Sequence, residues 1–119
     1  MAVPDIACQN TADLFTAATG ISITAEDVQR IGERVNNTAR LFNIREGFTR
    51  KDDTFPPRLM KEAIKGGASK GQRISQTDLD EMLDEYYDAR GWDKNGVPTE
   101  AKLRELGIKK INRSLKKAN

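Results

Sequence analysis

Apolar side chains recur along this chain at spacings of three and four and hardly ever alternate, so the pattern predicts helices and almost no strand. Asn10 stands three residues ahead of Asp13 and reads as the N-cap of a short first helix. Leu14, Phe15 and Ala18 are its expected inward face, and Gly20 closes it. Thr24, three before Asp27, opens the strongest predicted helix with a capping-box pattern. From it Val28, Ile31, Val35, Ala39 and Phe42 form one continuous apolar stripe, the side expected to face a core. Gly32 interrupts that helix at a cost of about 1 kcal/mol relative to Ala and reads as a point of close packing against a neighbour.

From Asn43 to Gly71 the periodicity fails. Arg45 to Asp53 is dense in charge around the lone aromatics Phe48 and Phe55. Pro56-Pro57 stops any helix running through, although Pro57 suits the first position of a short helix carrying Leu59, Met60 and Ile64. Lys65 to Gly71 reads as a loop. Helix returns after Ser75, which pairs with Asp78 as a cap; Leu79, Met82, Leu83, Tyr86 and Tyr87 make its expected buried face, and Gly91 its C-terminal stop. Trp92 is expected to fold back over that helix end. Asp93 to Gly96 is a turn, and Thr99 caps a last helix bearing Leu103 and Leu106, closed by Gly107. Ile108, Ile111 and Leu115 extend it as a basic amphipathic end. The fold class that follows is all-α: a small bundle of four to six helices with a long charged irregular segment in the middle.

Composition narrows the chemistry. With 37% apolar and 32% charged residues in 119, the chain makes one domain with a thin core, the kind of piece that packs on something larger. Twenty basic residues against eighteen acidic give a net charge of +2, without the basic excess of a nucleic-acid binder. Only the end is basic: Lys109, Lys110, Arg113, Lys116 and Lys117 form either a solvated helix end or a patch for an acidic partner. No apolar run approaches the roughly 20 residues of a membrane span, and nothing resembles a signal peptide, so a cytoplasmic location is expected.

There is no histidine, which excludes Ser–His and Cys–His nucleophile pairs and any His-based metal site within the chain. Cys8 is the single cysteine, so no disulfide closes within the chain and no all-cysteine metal site forms from it alone. Placed before the predicted first helix, Cys8 is either a small buried hydrophobe or a thiol near a helix N-terminus, where the dipole favours thiolate.

Three other constellations resolve to plain structure. Lys65 to Gly71 lacks the Lys-Ser/Thr ending and preceding strand of a phosphate loop, since Gln72 follows Gly71. Asp93 to Gly96 fails as a calcium loop because Gly91 and Lys102 would fill its first and twelfth positions. The carboxylates Asp78, Asp80, Glu81, Asp84, Glu85 and Asp88 lie mostly opposite an apolar stripe and read as a solvated face. The Arg45 to Asp53 segment carries more: Arg45, Glu46, Arg50, Asp52 and Asp53 suit a folded-in ion-pair network, serving structure alone or bracing the wall or lid of an active site.

Three stretches together resemble the C-terminal region of the aldehyde ferredoxin oxidoreductase family. They are Ala17-Ala18-Thr19-Gly20 with the helix start from Thr24 to Arg34; Leu41 through Pro56, which includes Asn43-Ile44-Arg45-Glu46-Gly47-Phe48-Thr49-Arg50-Lys51-Asp52-Asp53; and Leu83-Asp84-Glu85-Tyr86-Tyr87 through Arg90-Gly91-Trp92-Asp93, Asn95 to Thr99 and Leu106-Gly107. The order and approximate spacing match over residues 8 to 107. The resemblance implies a helical domain over 1–107, followed by a basic extension over 108–119. It implies an oxygen-sensitive enzyme that takes aldehydes to carboxylic acids and passes electrons to ferredoxin, using a tungsten or molybdenum bis-pterin beside a 4Fe–4S cluster. It further implies Cys8 as the one cluster ligand from this part, with Asp5 and Ala7 against the pterin. The family's acidic residue five before that cysteine and glycine two before it are Val3 and Ile6 here. The other cluster ligands and the pterin-binding domain belong to upstream domains, so the chain is expected to be an excised fragment or a separate gene product, inactive alone. The expected partners are those domains and, for the complete enzyme, ferredoxin.

Overall fold

The computed structural model describes residues 3–109. Five α-helices follow one another: α1 (Val3–Thr19), α2 (Ala25–Arg45), α3 (Pro57–Lys61), α4 (Gln76–Arg90) and α5 (Glu100–Glu105), with a single 3-10 turn at Arg50–Asp52. Among the described residues there is no strand, only an isolated bridge between Trp92 and Pro98. The all-α expectation holds.

The predicted caps of the later helices form as written, while Asn10 caps nothing because it lies inside α1. Thr24 accepts from the Asp27 backbone N–H at 3.1 Å while Asp27 Oδ2 accepts from the Thr24 N–H at 2.9 Å, and Ser75 and Asp78 make the same reciprocal pair. Thr99 accepts from the Lys102 N–H, and Pro57 begins α3. Gly91 ends α4 in the left-handed region at φ 68°, and its N–H closes on Asp88 at 2.9 Å. The last predicted apolar and basic positions, Lys110 through Lys117, lie outside the described residues.

The faces of the first two helices differ from expectation. α1 begins at Val3, not after Asn10: Pro4 is tolerated in a first turn, and nothing from Ile6 to Gln9 interrupts a helix. Its inward side is Cys8, Ala12 and Thr16, of which Ala12 is fully buried, whereas Leu14, Phe15 and Ala18 are exposed. α2 is inverted. Ile31, Val35, Ala39 and Phe42 face outward, Val28 alone of the expected stripe being half-buried. The two buried residues are Asn37 and Arg40, with Glu33 and Ile44 half-buried on the same stripe at spacings of three and four and Asn36, Leu41 and Arg45 half-buried beside it. The reason lies in what α2 meets. The Trp92 indole, the Gly96 carbonyl and the Asp53 carboxylate all need hydrogen-bonding partners away from water, and a polar face supplies them where an apolar one would orphan them. The core is correspondingly small: Leu79, Tyr87, Trp92, Leu103 and Leu106, with Ala12 apart from them in sequence. On α4, Met82 and Tyr86 are exposed where burial was expected.

Candidate functional site

The charged middle segment is pinned to the bundle from outside itself. Arg40, only 7% exposed, donates Nη1 and Nη2 to Asp53 Oδ1 and Oδ2 at 2.8 and 2.5 Å, and donates Nε to the Gly96 carbonyl at 2.8 Å. Its guanidinium also lies 5.0 Å from the Trp92 ring centroid and 5.8 Å from that of Tyr87. The Tyr87 hydroxyl donates to the same Asp53 Oδ2. Asn37, fully buried, accepts from the Trp92 indole N–H at 2.8 Å and donates to the Glu33 carbonyl of its own helix. Gly96 sits at φ 74° in the turn where Asp93 Oδ1 accepts from the Asn95 and Val97 N–H groups. No buried side-chain polar atom among the described residues lacks a partner.

These contacts set the protonation states. Burial alone pushes Asp53 upward, but the hydrogen bonds from Arg40 and Tyr87 and the charges of Arg40 and Arg50 outweigh it, holding the carboxyl below its ordinary 3.8. Burial and the bond to Asp53 push the Tyr87 phenol up from 10.0 to about 12. Asp53 is therefore a fixed anion with its oxygens engaged, suited to holding a segment in place and unsuited to taking a proton from a substrate.

The other predicted residues divide. Arg50 reaches α4 and the Trp92 turn: Nη1 donates to Asp84 Oδ1 at 2.5 Å and to the Lys94 carbonyl, and Nη2 to the Asp80 carbonyl at 3.1 Å. Asp52 caps its own 3-10 turn, accepting from the Thr49 N–H at 2.8 Å. Arg45 pairs only with its neighbour Glu46, at 2.9 Å, and lies over the Phe42 ring on the surface. The structure thus brings Arg50 and Asp53 together on Tyr87 and leaves Arg45 and Glu46 away from that knot. Arg40, Asn37, Tyr87 and Gly96 complete it. Of these the sequence marks Tyr87, as an apolar contact, and Gly96, as the end of a turn. The usable signal was the second stripe, Glu33, Asn37, Arg40 and Ile44, which a polar composition disguises as a solvent face.

Beside the knot is an open groove of about 890 Å³ between the Gly47–Thr54 stretch and the first half of α4. Ile44, Phe48, Leu79, Leu83 and Val97 give it an apolar lining, with Arg50, Lys51, Asp53 and Asp80 at its polar parts. Its volume suits a small molecule or an inserted side chain.

Cys8 lies inside α1, half-buried, two turns from Thr16 on the same side, so its thiol is in a helix interior and not ahead of an N-terminus. Ala7 is exposed one residue before it, and the Asp5 side chain lies outside what the structure describes. No three His, Cys, Asp or Glu side chains among the described residues converge where they would hold a metal ion. A 4Fe–4S cluster takes about four thiolates, so these residues do not fit that group on their own; at most Cys8 contributes one bond to a site built elsewhere.

The described residues form a small helical domain held by ion pairs around Asp53 and Arg50, with an open groove beside them. The chain belongs to the aldehyde ferredoxin oxidoreductase family, matching the model of that family's domains 2 and 3 over residues 2–108. It is similar to the tungsten-containing aldehyde ferredoxin oxidoreductase of Pyrococcus furiosus (strain ATCC 43587 / DSM 3638 / JCM 8422 / Vc1), 44% identical over 97 residues. That alignment takes in 81% of this chain and 16% of the relative. The corresponding protein of Pyrococcus abyssi (strain GE5 / Orsay) is 42% identical over 100 residues, covering 83% and 16%. In the solved active-site complex BamBC of benzoyl coenzyme A reductase with 1,5-dienoyl-CoA, one chain superposes with a TM-score of 0.67 at 29% identity, over 85% of this chain and 14% of that one. The chain therefore spans about one sixth of the curated relatives it matches.

Proposed function

We propose that the chain acts as the C-terminal helical domain of an aldehyde:ferredoxin oxidoreductase-type enzyme located in the cytoplasm, helping to enclose its redox centre and inactive by itself. The observation that carries this reading is the family match along nearly the whole chain joined to coverage of only one sixth of the relatives. In the complete enzyme a tungsten or molybdenum bis-pterin and a 4Fe–4S cluster supply the two-electron oxidation of aldehyde to carboxylic acid and the path to ferredoxin. The residues of this chain supply shape. Arg40, through Asp53 and Gly96, and Arg50, through Asp84, fix the Gly47–Thr54 stretch as a rigid wall of the groove. Arg45 and Glu46, paired with each other at the end of α2, lead into that wall and Asp52 caps the turn within it. Cys8, with Asp5 and Ala7 beside it in sequence, is the point at which this chain approaches the cluster and pterin.

The test is reconstitution with the remaining domains of the enzyme, expressed in cis or in trans. Iron content and aldehyde-dependent dye reduction are expected only when both parts are present, and Cys8→Ser should lower the iron bound per assembly. An isolated chain that binds a full complement of metal and oxidises an aldehyde overturns the proposal. So does an assembled complex without either property, which instead favours a helical protein-binding module.

A further inference from the structure

α2 carries a second pattern whose middle, from Gly32 to Ala39, stays exposed among the described residues. Val28, Gly32, Val35, Ala39 and Phe42 follow one another at spacings of four, three, four and three, the seam along which a second helix packs at a shallow crossing angle. From Gly32 to Phe42 this seam is exposed: Val35 is 64% and Phe42 49% accessible, and Ile31 on its flank 53%. Gly32 and Ala39 alternate with the larger residues, which lowers the surface for a close backbone approach. Gly32 is the sharper observation. It has ordinary helical geometry, a Cβ there would meet nothing within 4 Å, and yet glycine in a helix interior costs about 1 kcal/mol relative to alanine. No contact among the described residues accounts for it.

We infer that the outer seam of α2, centred on Gly32 and Val35, is the seat of a helix from the part of the enzyme outside this chain, packed closely enough that only glycine fits at 32. This rests on the reading of the chain as one domain of a longer oxidoreductase, and the length of the relatives supplies the occupant. About five sixths of their polypeptide lies outside the matched region, and an apolar helix face from it would cover what this chain leaves bare.

The experiment uses the Pyrococcus furiosus relative with its matched segment replaced by this chain, alongside the isolated chain. Gly32→Leu should leave the isolated chain as helical as before and its melting temperature equal or higher, because open space surrounds the new side chain and a helix-weakening glycine is gone. In the chimera the same substitution, and Val35→Asp, should raise amide exchange along α2 at least tenfold and expose the junction to protease. Glu81→Leu, on the exposed side of α4, should do neither. Chimeras carrying Gly32→Leu and Val35→Asp that protect α2 as the parent does would overturn the inference, as would a parent chimera in which α2 is no better protected than in the isolated chain. An isolated chain that dimerises, and is made monomeric by these substitutions, would give the seam to a second copy and overturn it too. A protected seam in a chimera that oxidises no aldehyde leaves the inference standing and removes the catalytic reading instead.

Discussion

Arg40 and Asp53, thirteen residues apart in sequence, face each other through two parallel hydrogen bonds of 2.8 and 2.5 Å, and this pair ties the charged middle segment to the helical bundle. The fork of the guanidinium matches both carboxylate oxygens, while its third donor holds the Gly96 carbonyl at 2.8 Å. Arg40→Ala should cost roughly 3 kcal/mol, the lower part of the range for a buried pair losing one partner, because Asp53 keeps some contact with water. Arg40→Lys should recover little, since an ammonium cannot span two oxygens and a carbonyl in one plane. Denaturant unfolding followed by circular dichroism measures both, and a lysine variant as stable as the parent would show that charge alone suffices.

Gly96 tests the same knot from the other side. A methyl group there would fall onto Arg40 Nη2 and come within 2.7 Å of Tyr87 Cζ, in a backbone conformation (φ 74°) that L-residues avoid. Gly96→Ala should therefore destabilise by about 2–4 kcal/mol, combining left-handed strain with overpacking. Gly32→Ala, with open space and helical geometry, should go the opposite way by about 1 kcal/mol in the isolated chain. Thermal melts of the two variants should move in opposite directions; a common direction would contradict the packing described.

Helix boundaries set by local chemistry were legible in the sequence. Thr24–Asp27, Ser75–Asp78 and Pro57 each satisfy a need that arises within three or four residues, so no distant partner is required to read them. What the pattern could not assign was which side of α2 faces in. Periodicity gives two stripes, and the rule that apolar means inward holds only when the covering surface belongs to the same chain. Here the nearest surfaces are the Trp92 turn and Asp53, contributed from fifty-five and thirteen residues away, and both ask for hydrogen bonds. The start of α1 was missed for a simpler reason: Asn10 resembles a cap, but a cap signal inside a run of helix-compatible residues has no power to begin one. Within the candidate site, Arg50, Asp52 and Asp53 stood out by charge density. Arg40 and Asn37 did not, because their importance comes from burial.

The capping boxes that open α2 and α4 make independent, smaller claims. Thr24→Ala and Ser75→Ala each remove a side-chain acceptor for a free helix N–H and leave the partner aspartate without its hydroxyl, so each should cost about 1 kcal/mol. Substituting Gly for Thr24 or Ser75 should cost only a few tenths. Glycine variants as damaging as the alanine ones would mean that the hydroxyls act through something other than capping.

Stability against pH should be limited in part at the acid end by Asp53 and at the alkaline end by Tyr87, the two partners of one hydrogen bond. The Asp53 carboxyl is held below its ordinary 3.8 in the folded state, so its contribution is complete above the ordinary carboxyl range and is lost as pH falls through the depressed folded value. Tyr87 runs the other way. Its folded phenol is pushed up to about 12 from 10.0, so between those values the folded state keeps a proton that the unfolded chain releases, and stability falls as pH rises through that window. Tyr87→Phe keeps the ring against Trp92 and Arg40 but removes the proton, so it should flatten the alkaline decline and, with one of the bonds that depress Asp53 gone, shrink the acid limb without abolishing it. Asp53→Asn should be less stable at neutral pH and lose the part of the acid dependence that Asp53 carries, keeping the part that the depressed cap aspartates Asp27 and Asp78 carry. Urea midpoints measured at intervals from pH 2 to pH 12 separate these. An alkaline limb unchanged in Tyr87→Phe would show that the proton held between Tyr87 and Asp53 does not set it.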